Sequence, residues 1–317
     1  MIEERVFNCS MMMIEAKSIT KTYQHHIALN QINISIKKGS IFGLLGPNGA
    51  GKTSLIRILT QITEPDSGEV LFNGEKLQPR HIYEMGYLPE ERGLYKKMLV
   101  GEQLLYFAEL KGLKNKEAKQ RLKYWIDRFE LKEWVGKKVE ELSKGMQQKV
   151  QFIATLLHNP KLIILDEPFS GFDPINAQIL VDEILLLKEQ GATIIFSTHR
   201  MDSVELLCDH ITLINKSEKI LDGEVNQIKQ TFKTNQFEIS YSGIPIVSDD
   251  IIKVDSTERE NLQFKTIVSL NYAMTGNQLI RHLLTREIEL LGFKEKLPTM
   301  EEIFIQAVQQ KNKYTHA

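Results

Sequence analysis

One short stretch limits what this chain can fold into more than any other feature. Residues 46–53 read Gly-Pro-Asn-Gly-Ala-Gly-Lys-Thr, which matches the pattern G-x-x-x-x-G-K-[ST]. The apolar residues 40–45 before it are typical of a buried strand, and the apolar residues 55–59 after it continue as a helix. Because the loop opens a helix, its backbone N–H groups point at whatever occupies the helix N-terminus. The stretch therefore predicts a strand, an anion-binding loop and a helix, in that order.

The chemistry of this loop is that of phosphate binding. Its glycines allow the backbone to wrap closely around phosphates. We expect Lys52 to reach the β and γ phosphate oxygens, and the Thr53 hydroxyl to ligate Mg²⁺. The residues predicted to bind a nucleotide here are Gly46, Pro47, Asn48, Gly49, Ala50, Gly51, Lys52, Thr53 and Ser54.

The composition sets broad limits on the rest of the chain. Its 317 residues suggest two domains, and a hydrophobic content of 42% is sufficient for packed cores. A formal net charge of -1 gives no reason to expect a nucleic-acid partner. Cys9 and Cys208 are far apart and lack metal-ligand spacing, so we expect neither a disulfide framework nor a zinc site, and a reducing cytoplasm fits best.

The sequence contains no segment that is predicted to span a membrane. No apolar run approaches the length of about 18 residues that a bilayer span needs, so any membrane role is expected to come through a partner. Residues 1–12 contain acidic residues and no apolar core, which argues against a secretory signal, and we expect a disordered extension there. Met13 is an alternative start to Met1, because the first strand-like pattern opens at Met13.

A second motif supplies carboxylates. The apolar run 161–165 ends abruptly in Asp166 and Glu167. A buried parallel strand delivers acids in this way to a site at its carboxyl end. We expect Asp166 to hold Mg²⁺, directly or through water, and Glu167 to orient the attacking water or accept its proton. The alternative, a strand that ends in solvated acids, is weaker because a phosphate-binding loop lies upstream.

Five other residues carry weaker signals, and most of them have a simpler interpretation. Ser143 and Gly145 precede an apolar helix, at a second predicted anion site, although Ser143 would also serve as a helix cap. Asp173 would fit a surface turn, His199 a polar strand end, and Tyr23 a half-buried strand position. Alone, none of these residues specifies a function.

The order of these residues along the chain indicates a protein family. Residues 142–149 resemble the LSGGQ signature of ABC ATPases, residues 170–174 resemble their D-loop, and residues 194–199 resemble the strand that leads to their H-loop histidine. Tyr23 stands where that family stacks an aromatic ring on adenine. Across residues 13–225 the motifs follow the order of the family, so the chain is identified as a member of the ABC ATPases.

This resemblance implies an α/β fold, with a P-loop NTPase core and a helical subdomain. Residues 13–225 would form the ATP-binding domain, in which the strands of residues 13–92 and 160–225 are expected to make a parallel core. Residues 98–158, with apolar residues at helical spacing, would form the helical subdomain. The ligands implied are ATP and Mg²⁺. The catalytic residues implied are Lys52, Glu167 and His199, and the further nucleotide contacts are Tyr23, Ser143, Gly145 and Asp173.

Two positions depart from the family pattern. Residues 86–92 occupy the Q-loop, but Glu90 stands where the family usually has Gln. A carboxylate keeps an oxygen ligand for Mg²⁺ and adds a negative charge beside phosphates, so we expect Glu90 to contact both metal and nucleotide. Lys144 replaces the second glycine of the signature, where it either assists γ-phosphate binding or points into water.

Residues 226–317 carry no catalytic motif and are predicted to form a small α+β domain. Residues 277–291 are typical of an amphipathic helix. The stretches typical of strands are 237–241, 251–254 and 262–268. Residues 298–304, Pro-Thr-Met-Glu-Glu-Ile-Phe, resemble the ending of NatA-like export ATPases, whose partners are ABC-2-type permeases. The same resemblance makes Glu90 less unusual.

The resemblance also implies partners. In the family, Ser143 and Gly145 of one chain complete the site of a second chain, so a head-to-tail homodimer or ABC heterodimer is expected, held on the inner face of the cell membrane by a permease. One alternative is a soluble ABC protein acting on ribosomes or DNA, but the two cassettes or long coiled coil of such proteins are not visible. Another is a regulatory module that binds ATP without turnover, and Glu167 and His199 argue against it.

Overall fold

A computed structural model describes residues 11–91, 93–270, 274–286 and 288–315. The chain divides into two compact units, one that ends at Val225 and also includes the residues from Ala307 onward, and one formed by Asn226–Gln306. Of the predicted disordered extension 1–12, residues 1–10 lie outside the described residues, whereas Met12 already begins the first strand.

Strands and helices alternate along the first unit. Its strands are β1 (Met12–Tyr23), β2 (His26–Lys37), β3 (Ile41–Leu45), β4 (Ser67–Phe72), β5 (Glu75–Lys76), β6 (Met85–Leu88), β7 (Leu162–Asp166), β8 (Thr193–Thr198), β9 (His210–Asn215) and β10 (Glu218–Glu224). The helices that precede residue 232 are α1 (Lys52–Leu59), α2 (Val100–Leu110), α3 (Asn115–Arg128), α4 (Lys144–Leu156), α5 (Pro174–Glu189), α6 (Met201–Leu207) and α7 (Val225–Thr231). Helices α2, α3 and α4 make up the predicted helical subdomain.

The central sheet positions the predicted catalytic motifs. Its order within the described residues is β10-β9-β3-β8-β7-β6, and every neighbouring pair except β9 and β10 is parallel. Strands β3, β7 and β8 are buried along their whole length, which explains why their sequences are continuous apolar runs. Since the carboxyl ends of parallel strands meet at one edge, the loops after β3, β7 and β8 converge there.

The expectation of one parallel core over residues 13–92 was wrong for the strands outside this sheet. β1, β2, β4 and β5 form a second sheet, of order β2-β1-β4-β5, whose pairs are all antiparallel. Only two residues separate Tyr23 from His26, and so short a connection permits a hairpin but no parallel crossover. The two sheets share one apolar core, to which both the P-loop helix α1 and the first strands contribute.

The second unit is an α+β structure with its own core. Within the described residues its sheet has the order β12-β13-β11-β14 and is antiparallel throughout. Its strands are β11 (Gln236–Gly243), β12 (Ile252–Glu260), β13 (Gln263–Leu270) and β14 (Ile288–Lys296), and α8 (Gly276–Leu283) packs on them. The last helix, α9 (Met300–Thr315), begins in this unit, and its residues from Ala307 group with the first unit.

The predicted helix 277–291 was wrong in its second half. Helix α8 ends at Leu283, and residues 288–296 are a strand that pairs with β11. The partly buried Ile288 and Leu290 alternate with exposed neighbours, which is the period of a strand. Because this pairing joins residues far apart in the chain, local helical spacing did not indicate it.

Candidate active site

The phosphate-binding loop follows β3 and ends in α1, as predicted. Gly46 and Gly51 have positive φ values of 150° and 114°. A Cβ atom at Gly46 would lie 2.1 Å from the carbonyl oxygen of Ile214, and one at Gly51 would lie 2.3 Å from that of Ala28. Both positions therefore need glycine, because the loop packs directly against neighbouring backbone.

Lys52 lies at the centre of this loop. Its side chain is only 7% exposed, and its Nζ donates hydrogen bonds of 2.7 Å and 3.2 Å to the carbonyl oxygens of Gly46 and Pro47. Burial lowers the pKa of the ammonium group. Three carboxylates lie close enough to oppose that change: Glu167, Asp166 and Glu90. The structure thus brings together the cation of the first motif and the acids predicted to work with it.

Asp166 ends β7 in a site that suits a cation. It is 2% exposed, and its Oδ2 is buried with no hydrogen-bond partner among the described residues. Burial raises the pKa of Asp166 to about 6; the Ser197 hydroxyl, which lies beside the carboxylate outside good hydrogen-bond geometry, opposes this rise, and the negative charges of Glu90 and Glu167 add to it. A hard divalent cation is a suitable ligand for a buried carboxylate oxygen of this kind. Thr53 is exposed at the start of α1.

Glu167 is held by backbone and side chains at the end of β8. It has a positive φ of 48°, and its N–H donates to the Ser197 carbonyl oxygen at 2.9 Å. Its Oε1 accepts hydrogen bonds from the backbone N of His199 at 2.9 Å and from His199 Nδ1 at 2.6 Å. Its Oε2 accepts one from Thr198 Oγ1 at 3.1 Å. Glu167 and His199, predicted from separate motifs, are thus in direct contact.

Three contacting residues were missed by the sequence analysis. Thr198, immediately before His199, binds Glu167, and its polar side chain at the end of an apolar strand was the available signal. Gln148 Nε2 donates to the Pro168 carbonyl oxygen at 3.2 Å, and Gln151 Nε2 donates to that of Pro89 at 3.2 Å. Helix α4 therefore contacts the turns after Glu167 and before Glu90. The spacing of the two glutamines places them on one helix face, but only the fold shows what that face meets.

The Q-loop follows β6. Glu90 is exposed there, and its charge acts on both Lys52 and Asp166. The predicted Q-loop range 86–92 includes position 92, which lies outside the described residues.

The signature residues Ser143 and Gly145 lie apart from these contacts. Ser143 caps α4, and its Oγ accepts a hydrogen bond from the Met146 N–H at 3.3 Å. A Cβ atom at Gly145 would lie 3.8 Å from Phe172 Cδ1, which is ordinary van der Waals contact. Nothing near Gly145 in the described part of the chain therefore demands a glycine. The signature loop adjoins the predicted D-loop instead.

Asp173 of that D-loop acts as a helix cap. Its Oδ1 accepts hydrogen bonds of 3.0 Å from the N–H groups of Ile175 and Asn176, and its Oδ2 accepts one of 2.6 Å from Asn176 Nδ2. The hydrogen bonds from Asn176 lower the pKa of Asp173, so the group stays ionised. The carboxylate is exposed and fixes the entry into α5.

Tyr23 ends β1 and is not among the residues that line the cavity near the P-loop. The ring is 39% exposed, with Lys21 Nζ 5.6 Å from its centroid, and Tyr23 pairs across the hairpin with His26. A cavity of about 530 Å³ lies between this hairpin and the P-loop, lined by His25, His26 and residues 47–50. It is large enough to admit part of a nucleotide.

Family models match both units. A model described as "ABC transporter" matches residues 29–170, and one described as "ATP-binding protein DrrA1-3-like, C-terminal domain" matches residues 223–308. A third, "AAA domain, putative AbiEii toxin, Type IV TA system", matches residues 137–204. The first covers the P-loop and the carboxylates, and the second covers the segment that has no catalytic motif.

Individual proteins are similar over most of the chain. "Uncharacterized ABC transporter ATP-binding protein YhaQ" of Bacillus subtilis (strain 168) is 37% identical over 300 residues, 93% of this chain and 98% of that protein. "ABC transporter ATP-binding protein NatA" of the same organism is 34% identical over 228 residues, 71% of this chain and 90% of NatA. A solved "Structure of ATP binding subunit of ABC transporter" superimposes with a TM-score of 0.65 at 30% identity, covering 69% of this chain and 93% of that one.

Proposed function

We propose that this chain, which belongs to the ABC transporter family of ATP-binding proteins, hydrolyses ATP to drive export through an ABC-2-type membrane permease. The observation that carries the proposal is the convergence of Lys52, Asp166 and Glu167 at one edge of the parallel sheet. An ammonium in a phosphate-binding loop beside two buried carboxylates is suited to phosphoryl chemistry.

The P-loop and α1 bind the phosphates in this proposal. Backbone N–H groups at the start of α1 and the Lys52 ammonium group face the β and γ phosphates. Thr53 and Asp166 would hold Mg²⁺, and the buried Oδ2 of Asp166 supports that role. The ion would neutralise charge on the phosphates. The negative charge of Glu90 acts on both Lys52 and Asp166, which supports a role for Glu90 in the same region.

Glu167 is the proposed base and His199 the residue that holds it. In the 2.6 Å contact His199 Nδ1 donates and Glu167 Oε1 accepts, which leaves Glu167 free to act as a base. His199 thereby fixes one oxygen of Glu167, while its own side chain, 57% exposed, remains accessible to a ligand on its Nε2 side. Glu167 orients the attacking water and takes up its proton.

A second ABC subunit completes the site. Ser143 and Gly145 have their contacts in α4 and in the 171–172 turn, and the exposure of Ser143 supports the approach of a ligand from outside the chain. We propose a head-to-tail dimer, with the same chain or with another ABC subunit, in which these residues face the nucleotide held by the partner. ATP then favours closure and hydrolysis favours opening.

The permease binds beside the Q-loop in this proposal. A groove of about 560 Å³ runs between the Q-loop and helices α2 and α4. Ile62, Tyr83 and Leu110 line it and are more than half exposed, at 59%, 59% and 57%. An apolar groove that adjoins Pro89 and Gln151 suits a helix of a membrane protein. Within the described residues, no helix is both long enough and apolar enough to span a bilayer.

Glu167→Gln tests the catalytic part of the proposal. The amide keeps the shape of the side chain but is no base, so phosphate release should fall by roughly 10² to 10⁴-fold. ATP affinity, measured by calorimetry, should stay within about twofold of wild type, since the contacts of the P-loop remain. Glu189→Gln, at an exposed glutamate of α5, is the matched control and should leave both quantities unchanged. Wild-type hydrolysis by Glu167→Gln would contradict the assignment.

Capture of the partner from native membranes tests the transport part. Wild-type chain should retain an ABC-2-type permease, identified by mass spectrometry, and Leu110→Asp should lose it because a charge enters the apolar groove. Leu262→Asp is the control, since Leu262 is 77% exposed in the second unit and outside the groove. Retention of ribosomes or DNA in place of a permease would reject the transport role.

A further inference from the structure

The two oxygens of the Glu167 carboxylate are not equivalent. Oε1 accepts two hydrogen bonds, both from His199, whereas Oε2 accepts one, from Thr198. A carboxylate oxygen has two lone-pair directions, so Oε1 is saturated and Oε2 keeps one lone pair. If Glu167 takes a proton from water, Oε2 is therefore the oxygen that receives it.

The direction of the Thr198 hydroxyl is determined by its neighbours. Thr198 is 1% exposed, and its Oγ1 accepts a hydrogen bond of 3.0 Å from the backbone N–H of Arg200. The single hydroxyl hydrogen is then directed to Glu167 Oε2, at 3.1 Å. Because the group is buried, water does not compete for this hydrogen bond.

We propose that Thr198 is a positioning residue for ATP hydrolysis, whose hydroxyl sets the direction of the free lone pair of Glu167 Oε2. The proposal rests on the role of Glu167 as base given above. His199 does not perform this task, since both of its donors bind Oε1. Two separate side chains therefore hold one oxygen each, and Glu167 Oε2 depends on Thr198 for its orientation.

The competing explanation is that Thr198 only stabilises the turn into α6. Its hydroxyl accepts from Arg200, so its loss also leaves a backbone N–H without that partner. A turn that is merely destabilised would lower the melting temperature and weaken ATP binding along with turnover. A misdirected base would lower kcat and leave the KM for ATP unchanged, because the nucleotide contacts of the P-loop are intact.

Thr198→Val and Thr198→Ser form a matched pair for the test. Valine keeps the shape and loses the hydroxyl, whereas serine keeps the hydroxyl. We expect Thr198→Val to lower kcat by roughly 10- to 100-fold, since small errors in the position of a reacting group have effects of that size. KM and the ATP affinity measured by calorimetry without turnover should stay close to wild type, whereas the melting temperature should fall slightly because the Arg200 N–H loses its partner. Thr198→Ser should restore kcat to within about threefold of wild type.

The double variant Thr198→Val/Glu167→Gln separates the two hypotheses. With the base removed, loss of the hydroxyl should cause no further fall in kcat, because residues that act as a unit are not additive. The positioning role is overturned if Thr198→Val turns over normally, if serine fails to rescue, or if kcat falls only in proportion to ATP affinity. Wild-type turnover by Glu167→Gln alone would instead overturn the assigned role of Glu167.

Discussion

Two groups of predicted nucleotide-binding residues in this chain differ in the contacts that hold them together. The phosphate half, residues 46–54 with Asp166 and Glu167, is bound together by hydrogen bonds and opposite charges. The signature half, residues 143–145 with 171–173, has contacts mainly with its own helix caps and with the 171–172 turn. Under the proposed function, the phosphate half of one chain is therefore assembled within that chain, whereas the signature half is not joined to it by these contacts. Such an arrangement suits two subunits that complete each other.

Lys52→Ala should have the largest effect, because it removes the cation of the phosphate half. The charge that faces the phosphates is lost in both ground state and transition state, so ATP affinity and turnover should each fall by roughly 100-fold or more. Calorimetry and phosphate release measure the two effects. Lys144→Ala, in the signature half, is the control and should leave ATP affinity of the single chain unchanged. If both variants weaken binding equally, the two halves are not distinct.

Gly145→Asp should impair the function of the signature half and leave that of the phosphate half intact. A carboxylate at position 145 would repel a nucleotide held by a partner, so hydrolysis should fall by roughly 100-fold and ATP-dependent dimers should be absent from size-exclusion chromatography. ATP affinity of the single chain should persist, since the P-loop is untouched. Gly136→Ala is the control, at a glycine outside the signature half whose added Cβ atom meets open space. A loss of ATP affinity in Gly145→Asp would contradict the separation of the two halves.

Asp166→Asn should reveal how much the buried charge of Asp166 in the phosphate half destabilises the protein without ligands. Burial raises the pKa of Asp166 from 3.8 to about 6. Above pH 6 the folded protein therefore carries an unfavourable buried charge, worth up to about 3 kcal/mol from the difference in pKa. The variant should raise the free energy of unfolding by up to that amount at pH 7.5, in chelator and without nucleotide. As pH falls from 6 to 4 the gain should disappear, because both states become protonated.

Asp222→Asn is the control for Asp166→Asn, because it should change the free energy of unfolding, measured in urea, in the opposite direction. Burial alone would raise the pKa of Asp222, but hydrogen bonds from His210, Thr212 and Lys219 lower it to about 2. Its contribution is therefore stabilising at neutral pH and is lost as pH falls towards 2. Asp222→Asn should destabilise the protein at pH 7.5. Equal effects of the two substitutions would show that burial does not set the behaviour of Asp166.

Changes at Glu90 should have the smallest effects, because it is exposed at the edge of the phosphate half. Glu90→Gln keeps an oxygen ligand and removes one charge, so basal hydrolysis should survive with a Mg²⁺ requirement altered by a few-fold. Glu90→Ala should weaken stimulation by a reconstituted permease. Hydrolysis measured against Mg²⁺ concentration, with and without the permease, tests both effects of Glu90. Wild-type behaviour of Glu90→Ala in both conditions would make Glu90 a solvated loop acid.

Short segments of sequence were sufficient to predict the elements that depend only on residues close together in the chain. The P-loop, its flanking strand and helix, and helices α2 to α4 follow from motif and apolar spacing within one segment. The sequence failed where distant segments decide the structure. Residues 288–296 form a strand because they pair with the backbone N–H and C=O groups of β11. Strands β1 and β2 form an antiparallel hairpin outside the parallel sheet.

The family of this protein and its expected chemistry follow from the order of glycines, a lysine and carboxylates along the chain, since each motif is complete within one short segment. How those groups meet depends on the way distant segments pair. The parallel pairing of β7 with β8 places Glu167 against Thr198 and His199, which lie about 30 residues further along the chain. Hydrogen bonds between adjacent strand ends depend on sheet register, and register is a property of the whole sheet.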